Sequence, residues 1–161
     1  MRSSGQPYGD TASIRVWGSA SSRPTAAGYN LVALEPTGGF QDRAAFDTFG
    51  DPAASGALAR WVEALPAGTI VLGAIKDDAS ARLNAAAVAA LATLGVHGDL
   101  RGGHRESHAF IGLKGAPPGS ALEASGPRAV EGAAGRAGCA LRAGARGVST
   151  RSRRRSAAAQ N

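Results

Sequence analysis

Apolar and polar residues along the first fifty positions follow the spacing of β-strands. In residues 13–19 apolar side chains alternate with other residues at a period of two, which predicts a strand with two unlike faces. A second strand is predicted over 29–34 and a third over 40–49. The glycine pair at 38–39 supplies the positive φ angles that a tight turn requires, so the second and third strands are expected to form a hairpin.

Residues 51–65 predict an amphipathic helix. Asp51 is a good N-cap, and Pro52 suits the first helical position because the backbone N–H that it lacks would be unpaired there. Pro66 and Gly68 end the segment. The apolar residues that share one face at helical spacing are Leu58, Trp61, Val62 and Leu65.

The second half of the pattern contains a buried strand, a helix and a final strand. The sequence TIVLGAI at 69–75 is apolar at both odd and even positions, which predicts a central strand covered on each face. A second helix is predicted over 84–94, with Gly95 as its C-terminal stop, and a last strand over 108–115. The apolar face of this second helix consists of Leu83, Ala87, Leu91 and Leu94.

The order of these elements predicts an α+β fold, a compact and sandwich-like mixed β-sheet domain flanked by two or three short helices. We assign this domain to residues 13–131. Residues 1–12 are polar and contain glycine, and they predict a disordered leader. Residues 132–161 consist almost wholly of Ala, Gly, Arg and Ser, and such a composition predicts a disordered tail because it buries too little apolar surface.

The formal net charge of +6 comes from that tail. Residues 1–131 contain all 12 acidic residues and 11 of the 18 basic ones, whereas 132–161 contains seven arginines and no acid. An arginine-rich tail can attract RNA or anionic lipid through counterion release. It lacks the aromatic side chains that stack on bases, so we expect no nucleic-acid partner.

Cysteine content and hydropathy limit the class of protein. Cys139 is the one cysteine, so no disulfide can form within the chain. No run approaches the ~20 apolar residues that span a membrane, and the start of the chain lacks the apolar segment of a signal peptide. On these features alone the chain would remain in the cytoplasm.

The sequence motifs of common enzymes are missing. The chain has no G-x-S-x-G, Walker A, H-E-x-x-H or C-x-x-C sequence, so we expect neither catalytic residues nor a cofactor. His104 and His108 fall on one side of a helix or of a strand, as two zinc ligands would. No third ligand stands at a recognisable spacing, and no metal site is predicted.

Asp77 and Asp78 follow directly after the predicted buried strand. In mixed α/β architectures, strand ends project side chains into the crevices where ligands bind. Local sequence favours a simpler role for the pair, an Asx turn or a cap of the next helix. A further alternative is a hydrolase that uses both aspartates with His104 or His108, and it requires these side chains to lie within hydrogen-bonding distance of one another.

Four blocks of sequence, in this order, carry a resemblance to a known family. They are AAGYNLVALEPTGGFQDRAAFDTF at 26–49, GTIVLGAIKDDASARLN at 68–84, LATLG at 91–95 and HRESHAFIGLKG at 104–115. Through this combination the chain resembles, over about residues 13–124, the interleukin-like EMT inducer family. Similar domains form the stem of protein O-mannose N-acetylglucosaminyltransferase and are appended to prokaryotic membrane glycosyltransferases.

The resemblance implies a non-catalytic domain in an extracytoplasmic or secreted location. It also implies recognition of a glycan or saccharide by Asp77 and Arg105, with His104 and Asp78 beside them. A carboxylate accepts hydrogen bonds from pairs of sugar hydroxyls, and a guanidinium donates to ring and acetamide oxygens. Of the two aspartates, we expect Asp77 to bind the ligand and Asp78 to be structural.

The resemblance allows two descriptions of the whole protein. The first is a carbohydrate-binding module that is a fragment or accessory domain of a membrane glycosyltransferase system. The second is a secreted, cytokine-like domain that binds a protein partner through the shape of its surface. The chain departs from the stem domain at Ala27, where that domain has an arginine, and at His104 and His108, where it has aromatic residues.

Overall fold

A computed structural model of the protein describes residues 2–4, 11–16, 26–135 and 138–143. They form an α+β domain, which confirms the predicted fold class, and no helix among them is long and apolar enough to cross a membrane. The helices are α1 (Ala54–Ala64) and α2 (Ala85–Ala92). The strands are β1 (Arg2–Ser4), β2 (Thr11–Ser13), β3 (Gly28–Leu34), β4 (Phe40–Phe46), β5 (Ile70–Lys76), β6 (Ser107–Leu113), β7 (Leu122–Gly126), β8 (Val130–Gly135) and β9 (Gly138–Ala143).

Strand β5 is the centre of an antiparallel sheet with the order β4-β3-β5-β6-β7. It pairs with β3 along its whole length, and with β6 from Ile70 to Ala74. The predicted hairpin is confirmed by the pairing of β3 with β4. The prediction of a central strand is also correct, because β5 has a neighbour on both edges.

A second group of strands joins this sheet at one point. Strand β1 pairs with β2 and β8, and β8 pairs with β9, all of them antiparallel. The connection to the main sheet is a parallel pairing of Ser4 in β1 with Lys76 at the end of β5. Strand β1 therefore enters the sheet at the end of β5 that leads to Asp77.

The core lies on both faces of β5. Val71 and Ile75 point into the larger core, which the two helices cover. Leu72 and Ala74 point to the other face and pack with Ile14. The helical residues that complete the larger core include Leu58, Val62, Ala87 and Leu91. Burial on both faces explains why the sequence of β5 is apolar without alternation.

Helix α2 starts where the sequence predicts, whereas helix α1 starts later than predicted. Helix α1 begins at Ala54, later than an N-cap at Asp51 would place it, and no side chain caps it. Asp51 instead forms an Asx turn, in which its Oδ1 accepts the N–H of Ala53 at 2.8 Å. Helix α2 begins where it is expected, because Asn84 Oδ1 accepts the N–H of Ala87 at 3.0 Å.

The two ends of the domain differ from the prediction. Strand β1 and most of β2 lie within residues 1–12, which the sequence predicts to be a disordered leader, and Ser3 is fully buried. Strands β8 and β9 extend beyond residue 131, where the sequence predicts the disordered tail to begin. Both differences arise from pairing between strands far apart in the chain, which local composition does not reveal. Residues 136–137 and 144–161 of the predicted tail lie outside the described residues.

A close approach of β5 to β6 depends on a glycine. Gly73 pairs with Phe110, and the phenylalanine ring lies over the glycine in the larger core. A Cβ atom at position 73 would overlap the ring atoms of Phe110. The ring is fully buried, so it has no free space into which to move.

We therefore expect Gly73→Ala to lower the free energy of unfolding by about 1–3 kcal/mol, because the added methyl group overpacks the core. Urea denaturation measures the change. Gly56→Ala in α1 is the matched control, since a Cβ there meets only Arg60 Nη1, at 3.5 Å. The control should be as stable as the wild type or more stable by up to about 1 kcal/mol. Equal stability of Gly73→Ala and the wild type would contradict this packing.

Candidate functional site

The predicted binding residues lie at one end of the main sheet. Asp77 follows the last residue of β5, and Arg105 stands two residues before the start of β6. Because β5 and β6 are antiparallel neighbours, the end of one strand lies beside the start of the other. The fold therefore brings the 77–80 loop and the 102–106 loop to the same edge.

Asp77 and Arg105 share an unusual backbone conformation. Their φ angles are 58° and 57°, and they are the non-glycine residues with positive φ in the described part of the chain. This left-handed region is unfavourable for residues that carry a Cβ, more so for arginine than for aspartate. Strained backbone of this kind concentrates at functional sites, where the surrounding structure enforces it.

Asp78 is the residue that holds the two loops together. Its side chain is 1% exposed, and Oδ1 accepts both the N–H and the hydroxyl of Ser80 at 2.7 Å. The backbone N–H of Arg105 lies near this carboxylate and helps to lower its pKa. Oδ2 lies 2.9 Å from Nδ1 of His104, in an ion pair when the ring is protonated. Asp78 is thus bonded within its own loop and to the loop opposite.

The same contacts change the acidity of Asp78. Burial raises the pKa of its carboxyl group, but the hydrogen bonds from Ser80 and Arg105 and the neighbouring His104 outweigh burial and lower the pKa below its ordinary value. The group is therefore ionised at neutral pH. A buried carboxylate that is used in this way has a structural role, as expected for Asp78.

Asp77 and Arg105 differ from Asp78 in the contacts of their side chains. Neither side chain forms a hydrogen bond or an ion pair with any residue that the structure describes. Arg105 is exposed and Asp77 is half-buried. At this edge of the sheet, called the Asp77–Arg105 rim below, each of these two residues presents a charged group that the described part of the protein leaves unused.

The two candidate histidines are separated by the fold. His104 is exposed beside Asp78. His108 is fully buried, with Nδ1 3.2 Å from the hydroxyl of Tyr29 and Nε2 2.7 Å from Oε1 of Glu123. The hydrolase alternative requires aspartates and histidines within reach of one another, and the structure meets that condition for Asp78 and His104 alone.

Sequence reasoning missed the buried polar cluster around His108. Glu123 accepts from the N–H of His97 and of Gly98, at 2.9 and 2.8 Å, in addition to the histidine ring. An ionised carboxylate only accepts, so Nε2 of His108 carries the proton of the bond to Glu123, and Nδ1 bonds with the hydroxyl of Tyr29. Burial and the nearby acids Glu123 and Asp99 raise the pKa of Tyr29, which keeps its hydroxyl protonated.

The candidate side chains of the rim, Asp77, Asp78, His104 and Arg105, are all polar. A concavity of about 470 Å³ lies at the other end of the sheet, and its lining consists of Ala89, Ala92, Thr93, Gly115, Ala116 and Pro118. That lining offers little to orient a polar ligand. Among the described residues no three His, Cys, Asp or Glu side chains converge as a metal site requires. The chemistry available at the Asp77–Arg105 rim is hydrogen bonding and charge.

Comparison with known proteins adds one match. A family model described as interleukin-like EMT inducer matches residues 27–116, more than half of the chain. The matched segment runs from just before β3 to just after β6, so it contains every candidate residue of the rim. Ser3 and Glu123 lie outside it. No curated protein matches the chain.

The strained conformation of Arg105 predicts a gain in stability on mutation to glycine. Left-handed backbone costs about 1–2 kcal/mol for a residue with a Cβ, and glycine offsets part of that gain through its freer unfolded state. We expect Arg105→Gly to raise the free energy of unfolding by about 0.5–1 kcal/mol in urea denaturation. Arg43→Gly in β4 is the control and should lower it, because glycine weakens a strand. A loss of stability in Arg105→Gly would mean that its side chain supports the fold.

The contacts of Glu123 predict that the free energy of unfolding of the protein depends on pH. Burial raises its pKa, but the bonds from His108, His97 and Gly98 lower it from 4.5 to about 2. Since the folded state lowers the pKa, the stabilisation is present above pH 4.5 and is lost as the pH falls towards 2. We expect Glu123→Gln to lower the free energy of unfolding by about 1–3 kcal/mol at pH 7.

The difference between Glu123→Gln and the wild type should narrow between pH 4.5 and 2, as followed by urea denaturation at each pH. Glu63→Gln removes an exposed carboxylate without a described partner and controls for the loss of charge alone. A difference that stays constant over this range would show that ionised Glu123 is not the stabilising form.

Proposed function

Because the chain belongs to the interleukin-like EMT inducer family, we propose that it is a non-catalytic interaction module that binds a carbohydrate at the Asp77–Arg105 rim. Family membership indicates a cytokine-like or interaction module. The carbohydrate ligand is the more specific part of the proposal, and it depends on the geometry of the rim.

One observation carries the proposal. The two strained residues of the described chain, Asp77 and Arg105, both carry charged groups that have no partner there. A fold that merely needed turns at these positions would be served better by glycine or asparagine. Strain retained at Asp77 and at Arg105, with both side chains unused, is consistent with selection for ligand contact.

The groups at the rim suit a sugar. The half-buried carboxylate of Asp77 can accept hydrogen bonds from two adjacent hydroxyls, which are the donors that a sugar presents in pairs. The guanidinium of Arg105 can donate two parallel bonds to ring, carboxyl or acetamide oxygens. The exposed ring of His104 lies next to them and offers a further donor or a stacking surface.

Two features support a module without catalysis. Asp78, the candidate acid that lies beside His104, is almost fully buried, and its Oδ1 accepts two hydrogen bonds from Ser80. His108 is bonded to Glu123 and to Tyr29 in the interior. A general acid or base must reach its substrate, and these groups are directed to the protein itself.

The setting of the module is part of the same proposal. We place the domain in an extracytoplasmic or secreted location, as an accessory domain of a glycosyltransferase system. There a glycan-binding rim would hold the saccharide acceptor near the enzyme and raise its local concentration. Detection of a glycosyltransferase domain in the same reading frame or in the same complex tests this placement.

A second candidate function is a cytokine-like domain that binds a protein. Phe40 and Leu113 are 54% and 46% exposed, although both are large and apolar. The strand register places them at the two ends of one row, Phe40–Leu34–Ile70–Leu113, across β4, β3, β5 and β6. This row lies at the end of β5 opposite the rim, so the two candidate functions would use different surfaces.

Saccharide titration followed by NMR tests carbohydrate binding. A ligand should shift the backbone amide signals of residues 76–79 and 104–108 in a saturable way. Asp77→Asn should weaken the affinity at least about tenfold, which corresponds to about 1.4 kcal/mol, because the amide presents one acceptor in place of two. Glu63→Gln removes a carboxylate that also has no described partner and should leave the affinity unchanged.

The panel of saccharides should include neutral, N-acetylated and acidic monosaccharides and short glycans. If none of them shifts these amides, carbohydrate binding is wrong for this chain. Shifts that appear equally in wild type and Asp77→Asn would place the binding site elsewhere.

A further inference from the structure

The ladder between β5 and β6 stops one rung before the rim. The two strands pair from Ile70↔Leu113 to Ala74↔Ala109. In the same register the next pair would be Ile75 with His108, yet these residues do not pair. The strands therefore separate at the end that carries Asp77 and Arg105.

A serine hydroxyl occupies the missing rung. Ser3 Oγ donates to the carbonyl oxygen of Ile75 at 2.7 Å and accepts the backbone N–H of His108 at 3.1 Å. These are the two backbone groups that would otherwise face each other across the ladder. Ser3 is fully buried, and Ser4 beside it pairs with Lys76 in place of β6.

The inserted hydroxyl sets the spacing of the two strands. A direct bond between Ile75 and His108 would have a length of about 2.9 Å. Two bonds of 2.7 and 3.1 Å through the hydroxyl hold the same two atoms farther apart. Asp77 lies two residues beyond Ile75, and Arg105 three residues before His108, so this spacing is passed on to both loops.

We infer that Ser3 is a positioning residue for the Asp77–Arg105 rim, acting as a spacer in the β5–β6 ladder that keeps the two loops apart at the distance a ligand requires. The part of this inference that concerns ligand affinity rests on the proposed carbohydrate binding. The part that concerns strand spacing stands on the contacts of Ser3 alone.

The role requires a hydroxyl group of small size. The group must donate to a carbonyl and accept from an N–H at the same time, which serine and threonine can do and alanine cannot. Without the hydroxyl, the N–H of His108 and the carbonyl of Ile75 are left without their partner in a buried place. Since unpaired buried groups are costly, we expect the ladder to close by one more rung in Ser3→Ala.

The first measurement needs no ligand. Through-hydrogen-bond scalar coupling between the His108 amide nitrogen and the Ile75 carbonyl carbon should be undetectable in the wild type and should appear in Ser3→Ala. The amide signals of Asp77 and Arg105 should shift in the same variant. Ser3→Thr keeps the hydroxyl and should resemble the wild type. Absence of the coupling in Ser3→Ala, with unchanged signals at Asp77 and Arg105, would overturn the spacer role.

The second measurement is affinity for the saccharide found in the titration described above. We expect Ser3→Ala to bind about tenfold more weakly and Ser3→Thr to bind within about twofold of the wild type. Ser55→Ala is the control for stability, because Ser55 is also fully buried and its hydroxyl donates to the carbonyl of Arg82 at 2.6 Å. If Ser3→Ala weakens binding no more than Ser55→Ala does, Ser3 has no positioning role towards the ligand.

The two measurements separate this inference from the proposed function. A wild-type protein that binds no saccharide contradicts carbohydrate binding, and the scalar coupling then decides the spacer role of Ser3 by itself. A wild type that binds, together with Ser3→Ala that binds equally well, contradicts the positioning role and leaves the carbohydrate site intact.

Discussion

A carboxylate that is 1% exposed needs donors for its oxygens, and Asp78 obtains them from two loops at once. Ser80 supplies two donors to Oδ1 from the same loop, and Nδ1 of His104 on the loop opposite lies 2.9 Å from Oδ2. This shared carboxylate fixes where the 102–106 loop stands relative to the end of β5. The left-handed backbone of Asp77 and Arg105 is consistent with these contacts. Asp77 adjoins Asp78 itself, and Arg105 adjoins His104, which lies against Asp78.

Buried polar side chains beneath the rim also bond to more than one part of the chain. Ser3 bonds to β5 and β6, and His108 bonds to Tyr29 of β3 and Glu123 of β7. Each of these buried polar groups bonds to more than one strand at this end of the sheet. The helices and the apolar core stabilise the other face of β5, where Gly73 allows Phe110 to pack closely. These contacts form the buried layer beneath the two charged side chains.

The polar residues at and beneath the rim fall into two groups, those bonded within the protein and those proposed to bind the ligand. Asp78 and His108 are buried and bonded to other residues of the protein, whereas Asp77 and Arg105 are strained and have no partner among the described residues. Sequence separated the two aspartates only through resemblance, since adjacent acids look equivalent in a local pattern. The contacts of Asp78 supply the physical distinction between the adjacent aspartates. Local rules also misplaced the start of α1, because Asp51 forms a turn instead of a cap.

Sequence by itself determined the elements whose signals are local. The unbroken apolar run of β5, the glycine turn between β3 and β4, and the Asn84 cap of α2 each follow from neighbouring residues. Tertiary structure alone decided the roles of Ser3 and Glu123. It also decided that the segments of β1, β8 and β9 form strands. Ser3 bonds to residues 72 and 105 positions away, and its own neighbours are polar and without pattern. A contact of that separation leaves no period in the sequence, because its partners are chosen by the fold and not by the chain beside it.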